Sequence, residues 1–252
     1  MMPRGCLRDE PGDERGVRIG RLVGGITREL PAAVYLFPDF VERIPFQNGE
    51  SCVGNAIAQA LRVRSAIEGD EIDPSAMAIY ALARQVAEPT RWTLRDEGSY
   101  PARAIEGLES WGVVDRERWP DDTDPRERVT VDVLEAGKVA LVRGVYRIDE
   151  AGEERGLRIR QALYDRRPVF WCRMIDVAYE RLGDTLYRGL SGSPVGGHAG
   201  CLVGYDAAGV WDAGSWSRTH GRDGFAHIAW SFVQSDDAFS FYVFTTSPAG
   251  VV

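Results

Sequence analysis

The sequence predicts an α+β fold, in which a mainly helical first half precedes a half rich in β-strands. Between residues 52 and 111, apolar residues recur at helical spacing in three consecutive segments. After a charged segment with prolines at 120–128, short runs of Val, Ile, Tyr, Phe and Trp alternate with Gly, Asp and Pro. A helical half joined to a β-rich half leaves a groove between them, and we expect a functional site there.

Composition excludes several classes of protein. The chain has 252 residues, of which 44% are hydrophobic and 27% charged, and its net charge is -8. This excess of acid argues against a nucleic-acid partner. No apolar run approaches the ~20 residues that cross a bilayer, and the charged first residues do not resemble a signal peptide. We expect a cytoplasmic protein with no membrane partner, or alternatively a component of a virion.

Residues 1–30 form a charged N-terminal arm with little apolar periodicity. The sequence leaves three roles open for this arm: it stays solvated, it docks onto a protein partner, or it blocks the groove. The remaining residues, 31–252, are expected to fold as one domain. Its mainly helical lobe covers 31–125, and its β-rich lobe, resembling an antiparallel barrel, covers 126–252.

Capping signals locate the helices of the first lobe. An amphipathic helix begins at Cys52, where the apolar stripe starts. The second helix is expected to start at Asp73-Pro74, with the aspartate as N-cap and the proline at the first helical position. The third spans Pro101–Trp111, and Ser99 is its expected cap. In the second lobe, one helix near 157–163 interrupts strands expected at 144–148, 168–175, 199–205, 209–211 and 239–245.

The chain has four widely separated cysteines. None has a Cys or His partner at metal-ligand spacing, so we expect no metal and no cofactor. Cys172 and Cys201 lie in apolar β-runs and are expected in the core. Cys6 lies in the arm. Cys52 stands at a helix N-terminus, where backbone N–H groups stabilise a thiolate, although the position also suits a small buried hydrophobe.

Two further segments carry residues suited to chemistry. Gly196-Gly197-His198-Ala199 opens an apolar strand, and its glycines would leave the imidazole of His198 accessible as a general base. An ordinary, partly exposed histidine is the alternative. Residues 214–225 form a turn rich in Trp and Gly before a strand, which fits a hairpin with an aromatic plug.

Together these segments resemble the papain family of cysteine peptidases, and particularly its prokaryotic and phage-type members. The matching segments are QNGESCVGNAIAQAL, EGSYPARAIEGLESWGVVDRERWP, GGHAGCLVGYD and GSWSRTHGRDGF. They occur in the family's order and cover roughly residues 30–246. His198 follows Cys52 at a separation within the ~130–150 residues of papain-like enzymes.

The resemblance implies a role for each matching residue. Cys52 would attack a peptide carbonyl and form a thioester, with His198 as its proton partner. The backbone N–H of Cys52 and the side chain of Gln47 would bind the oxyanion. Gly98 and Ser99 would hydrogen-bond an extended substrate backbone, and Trp216 would shield the base from water.

Three positions depart from the family pattern. Gln47 lies one residue closer to Cys52 than usual, so Asn48 is an alternative oxyanion donor. Gly214 replaces the asparagine that orients the histidine. Asp212, two residues earlier, could face the same side of the strand and substitute for it, or it could simply be an acid before the turn. His220 replaces the family's second tryptophan and is expected to be a surface ring.

The predicted function is a thiol hydrolase that cleaves peptide or isopeptide bonds in a peptide or protein substrate. The change at Gly214 predicts a slower enzyme, because the lost residue orients the base and takes no part in bond making. One alternative is a papain-fold protein with weakened catalysis that serves as a structural or binding subunit of a larger assembly, such as a phage particle. Another is acyl transfer to an amine instead of water.

Overall fold

The computed structural model of the chain describes residues 2, 5–10, 12–13, 15–23 and 29–248. The helices are α1 (Gly20–Val23), α2 (Cys52–Glu68), α3 (Ala76–Ala87), α4 (Pro101–Trp111), α5 (Val131–Ala136), α6 (Gly152–Tyr164), α7 (Val177–Glu180) and α8 (Trp230–Val233). The strands are β1 (Val17–Arg18), β2 (Val34–Tyr35), β3 (Val113–Val114), β4 (Lys138–Ile148), β5 (Val169–Ile175), β6 (Leu186–Tyr187), β7 (Gly196–Tyr205), β8 (Gly209–Ala213), β9 (Phe225–Ala229) and β10 (Ala238–Pro248).

Helix α2 is the central helix of the molecule and starts at Cys52, as predicted. Every residue from Ser51 to Leu61 is buried, because α3 packs on one side of the helix and β7 on another. Gly69 ends the helix in a left-handed conformation, with φ of 80°, and its N–H bonds back to the last turn. Burial on several sides holds the first turn of α2 rigidly against the sheet.

The predicted start of α3 was wrong. The N-cap is Ser75, whose side chain accepts a hydrogen bond from the first turn, and the helix begins at Ala76. Asp73 cannot cap the helix because its carboxylate binds two arginines, Arg62 at 2.8 Å and Arg116 at 2.6 Å. The bounds predicted for α4 are confirmed, but the residue at its N-cap position is Tyr100.

The strands form one open sheet in the order β1-β4-β10-β5-β7-β8-β9-β6, with β2 paired to β7 and β3 to β4. Most pairs are antiparallel, and β1–β4 and β6–β9 are parallel. The predicted strands are confirmed, as is the helix near 157–163, which is α6. Strands β5 and β7 lie at the centre, and α2 packs directly on β7. The N-terminal end of β7 therefore faces the start of α2.

The described part of the chain contains no helix long and apolar enough to cross a membrane.

Candidate active site

Cys52 is the first residue of α2, and its side chain is completely buried. Burial raises the pKa of the thiol, and the nearby Cys6 and Glu50 raise it further. A hydrogen bond from the backbone N–H of Ala199, together with the charge of Arg173, acts in the opposite direction. Because Ala199 follows His198 directly, this contact joins the start of α2 to the segment that carries the histidine.

His198 is the third residue of β7 and is also buried. The indole ring of Trp216 lies against its imidazole, with ring centroids 4.2 Å apart and the planes tilted by 31°. Tyr179 lies further away, at 6.1 Å between centroids. A tryptophan that covers one face of an imidazole restricts its rotation and its contact with water.

Gln47 is buried beside Ser215, one residue before Trp216. Its side-chain oxygen accepts a hydrogen bond from the Ser215 hydroxyl at 2.6 Å, and its side-chain nitrogen donates to the Gly49 carbonyl at 2.9 Å. The Asn48 side chain instead donates to the carbonyl of Thr123 at 2.8 Å. The loop before Cys52 therefore holds Gln47 within the site and engages Asn48 with the segment after β3.

Asp96 and Tyr80 stabilise this loop, and the sequence analysis identified neither residue. One carboxylate oxygen of Asp96 accepts hydrogen bonds from the Glu50 N–H at 2.9 Å and the Tyr80 hydroxyl at 2.7 Å. The Tyr80 oxygen in turn accepts a bond from the Gly98 N–H at 3.1 Å. These bonds couple the loop before Cys52 to the Gly98-Ser99 segment. An acid close before a Gly-Ser pair was the only available hint.

Asp212 and Arg173 form an ion pair with an N···O distance of 2.7 Å, and both side chains are completely buried. The carboxylate also accepts a hydrogen bond from the Trp171 ring N–H at 2.8 Å. Arg173 lies directly opposite His198 in the β5–β7 register, so both side chains project from the same face of the sheet. A Cβ at Gly200 would lie 2.1 Å from the Asp212 carboxylate, so glycine is required there. That Asp212 orients His198 stays a prediction.

His220 is buried, so the expectation of a surface ring was wrong. Its Nε2 lies 2.8 Å from the carbonyl oxygen of Tyr179, and its ring meets Trp216 edge to face at 5.0 Å. Burial lowers the pKa of its imidazole. The neutral ring therefore packs as part of the aromatic cluster behind Trp216.

The segment Gly5–Leu7 of the arm lies between the two sides of this site. Ser99 donates its N–H to the Gly5 carbonyl at 2.8 Å and accepts from the Leu7 N–H at 3.1 Å. On the other side, the N–H groups of Gly5 and Cys6 share the carbonyl of Gly197, each at 3.3 Å. A Cβ at Gly98 would lie 2.4 Å from the Gly5 oxygen, and one at Gly197 would lie 2.1 Å from the Cys6 oxygen. Arm positions 1, 3–4, 11, 14 and 24–28 fall outside the described residues.

Among the described residues, no group of His, Cys, Asp and Glu is arranged to hold a metal ion.

No family model matches the chain, and no curated protein matches it. Solved structures do match. Xylellain, a cysteine protease from Xylella fastidiosa, is 20% identical with a TM-score of 0.79, and the match covers 98% of this chain and 97% of that one. The proCathepsin B S9 of Trypanosoma congolense is 16% identical with a TM-score of 0.75, over 98% and 86% of the two chains. A cysteine protease from Carica candamarcensis is 17% identical with a TM-score of 0.65, over 87% and 98%.

The chain has the papain-like fold. In the papain-like fold of this chain, helices α2, α3 and α4 make one lobe and the central sheet makes the other. The lobes meet where α2 packs directly on β7. The expected fold class is confirmed.

Proposed function

We propose that this chain is a cysteine-type peptidase that cleaves peptide or isopeptide bonds, with Cys52 as the nucleophile and His198 as its acid–base partner. The observation that carries the proposal is the packing of Trp216 against His198, at 4.2 Å between ring centroids, together with the hydrogen bond of 2.6 Å from the Ser215 hydroxyl to Gln47. These contacts join the loop before the helix N-terminal thiol of Cys52 to the tryptophan that covers the imidazole. The solved structures that share the fold and are named as cysteine proteases support it.

The reaction begins when Cys52 passes its proton to His198 and the thiolate attacks the substrate carbonyl carbon. The backbone N–H at the start of α2 has no partner within the helix, so it and a Gln47 N–H bind the oxyanion. His198 then protonates the leaving amine as the C–N bond breaks. Water, deprotonated by His198, hydrolyses the thioester and restores the Cys52 thiol.

A substrate would bind as an extended strand to the same backbone groups that now hold the arm. Ser99 offers one N–H and one carbonyl oxygen, and Gly197 offers a carbonyl oxygen. Because these groups are main-chain, they recognise a peptide backbone whatever its side chains. Backbone recognition of this kind fits a peptide or protein substrate.

Labelling with a thiol-directed epoxide at neutral pH tests the proposal. We expect Cys52 to react faster than an ordinary thiol in the reduced chain, and Cys52→Ala to abolish the labelling. His198→Ala should lower the rate while leaving the fold intact. Labelling no faster than that of a free thiol would contradict the proposal and favour a structural or binding subunit. Added amines that change the product mixture would show acyl transfer.

A further inference from the structure

Three of the four cysteines converge on one point of the groove. Cys172 lies directly opposite Ala199 in the β5–β7 register, so its side chain shares a face of the sheet with Ala199 and Gly197. Cys52 lies at the start of α2, which packs directly on β7. Cys6 meets the same face from the arm, since its backbone packs on the α-carbon of Gly197.

The thiol of Cys6 is enclosed there despite its place in a charged arm. Its side chain is only 5% exposed and belongs to the same buried cluster as Cys52 and Cys172. The Cys6 S–H points to the Leu7 carbonyl at 3.8 Å. A Cβ at Gly197, on the same face of the sheet as Cys172, would lie 3.5 Å from the Cys6 Cβ. Cys6 and Cys172 therefore approach the same patch of one sheet face, and a disulfide requires only that their Cβ atoms come within ~3.5–4.5 Å of each other.

The arm is held by more than this one residue. The Arg8 guanidinium donates to the Asp236 carbonyl at 2.7 Å, and its charge lies 4.4 Å from the centre of the Phe239 ring. Further along, β1 pairs in parallel with β4, and Ile19 is completely buried. The arm is therefore anchored to the sheet near β1, so a released Gly5–Leu7 segment would remain tethered to the molecule.

We propose that Cys6 and Cys172 form a reversible disulfide that locks Gly5–Leu7 in the substrate groove, so that oxidation keeps the peptidase closed and reduction lets it open. The inference rests on the proposed function, because a closed groove matters only if Cys52 acts on a substrate. It assigns to Cys172 a redox role that leaves the Cys52 nucleophile chemically intact.

The oxidant is a low-molecular-weight disulfide such as oxidised glutathione. When the arm is out of the groove, the Cys6 thiolate attacks one sulfur of the oxidant and one glutathione thiolate leaves. The arm then returns, the Cys172 thiolate attacks the Cys6 sulfur of the mixed disulfide, and the second glutathione leaves. Two protein thiols lose two electrons, which reduce one glutathione disulfide to two glutathiones, and the protons of both thiols pass to these products.

Cys201 provides a matched control. It is completely buried in β7, and its pKa is raised by burial and by Asp212, with no contribution from another thiol. A Cys201→Ala variant therefore removes one buried thiol from the same sheet while leaving Cys6, Cys52 and Cys172 in place. Cys6→Ser removes the arm thiol alone, and Cys172→Ala removes its partner.

The experiment treats the full chain with oxidised glutathione, maps disulfides by mass spectrometry, and measures epoxide labelling of Cys52 before and after added reductant. We expect a Cys6–Cys172 cross-linked peptide and a fall in labelling rate of at least about tenfold that reductant reverses, because a cross-linked arm competes as a tethered ligand. Cys201→Ala should behave as the native chain. Cys6→Ser and Cys172→Ala should label at the same rate in both conditions.

Three results would overturn the proposed Cys6–Cys172 disulfide: no cross-link at saturating oxidant, a cross-link of Cys6 to Cys52, or unchanged labelling of the cross-linked chain. If the oxidant instead acts on Cys52 directly, Cys6→Ser would also lose labelling. That result would count against the proposed Cys6–Cys172 disulfide. Failure of the proposed function has a different signature. Cys52 would then react like an ordinary thiol in reduced Cys6→Ser, while the disulfide map would still report on the Cys6–Cys172 bond.

Discussion

The Arg173 guanidinium and the Asp212 carboxylate lie 2.7 Å apart with both side chains fully buried, on the same face of the sheet as His198. A buried ion pair is costly to break, because removal of one partner leaves the other charge in the core without compensation. The pair therefore fixes the local structure beneath the candidate base.

Replacement of Asp212 should destabilise the protein strongly. We expect Asp212→Asn to lower the free energy of unfolding by ~3–5 kcal/mol, the range found when one member of a buried pair is lost. Urea denaturation would measure this. The exposed pair of Asp184 and Arg222, whose side chains are 58% and 57% exposed, provides the control, since Asp184→Asn should cost less than about 1 kcal/mol.

A double variant separates the structural role of Asp212 from its predicted role in orienting His198. Arg173→Met combined with Asp212→Leu removes both charges, so it should be more stable than Asp212→Asn. If the double variant folds and still labels Cys52 at the native rate, Asp212 does not orient the base. A stable double variant supports the orienting role if it labels Cys52 more slowly than Arg173→Met alone, because both variants lack the Arg173 charge that favours the Cys52 thiolate.

Displacement of the arm should accelerate labelling of Cys52. A Cβ at Gly5 would lie 1.9 Å from the Glu50 carbonyl oxygen, so Gly5→Ala should expel the segment from the groove without altering the groove walls. We expect labelling in the reduced chain to rise by about tenfold, which corresponds to ~1.4 kcal/mol of lost docking energy. Gly20→Ala is the matched control, because a Cβ at Gly20 meets open space. Equal rates for Gly5→Ala and the native chain would show that the arm does not limit access.

Arm docking should weaken as the pH rises. Burial raises the pKa of Asp9 to about 6, Asp13 adds to the effect, and the Ala102 amide, Ser240 and Arg103 oppose it. The docked arm thus keeps a proton that a released arm loses near the ordinary pKa of 3.8. The stabilisation of the docked arm by protonated Asp9 is complete below pH 3.8 and is lost as the pH rises through about 6.

Asp9→Asn tests whether arm docking weakens as the pH rises, because the neutral asparagine side chain mimics the protonated acid at every pH. At pH 7.5 we expect the variant to label Cys52 more slowly than the native chain, and at pH 4 the two rates should converge. Measuring the ratio of the two rates cancels the titration of the catalytic groups. A variant that labels faster than the native chain at pH 7.5 would contradict the expectation.

Loss of the Asp96 carboxylate should disorder the loop before Cys52. Asp96→Ala removes the acceptor for the Glu50 N–H and the Tyr80 hydroxyl, and a lost set of buried hydrogen bonds costs ~1–3 kcal/mol. We expect slower labelling of Cys52 with only a modest drop in thermal stability. Tyr80→Phe, which keeps the bond to Glu50, should have the smaller effect. If Tyr80→Phe slows labelling more than Asp96→Ala does, the order of the loop depends on the Tyr80 hydroxyl and not on the Asp96 carboxylate.

Local periodicity was sufficient to predict most of the fold. Helix α2 starts at Cys52 because its apolar stripe begins there, β5 follows a run rich in β-branched and aromatic residues, and β7 leads from two glycines into an apolar run. The N-cap of α3 could not be predicted, because Asp73 is bound by Arg62 and by the distant Arg116. A capping rule considers only neighbours in sequence, whereas the ion pairs depend on the tertiary structure.

The site was only partly predictable for a related reason. Gly98 and Ser99 were expected to bind an extended backbone, and a segment of the chain itself occupies that position. Main-chain hydrogen bonds leave almost no trace in side-chain patterns, so the docking of Gly5–Leu7 had no signal beyond a glycine and a cysteine in a charged arm. Asp96 and Tyr80 act through loop contacts that periodicity cannot detect.

The parallel pairing of β1 with β4 affects any peptide that competes with the arm for the groove. A short connector between the groove segment and β1 keeps the local concentration of that segment in the millimolar range, however dilute the protein is. A free peptide at micromolar concentration would rarely gain entry, whereas a long substrate that first attaches elsewhere on the surface would meet the groove on equal terms. Under the proposed function, the site would favour extended or unfolded polypeptides over short ones, whatever the side-chain preference of the groove.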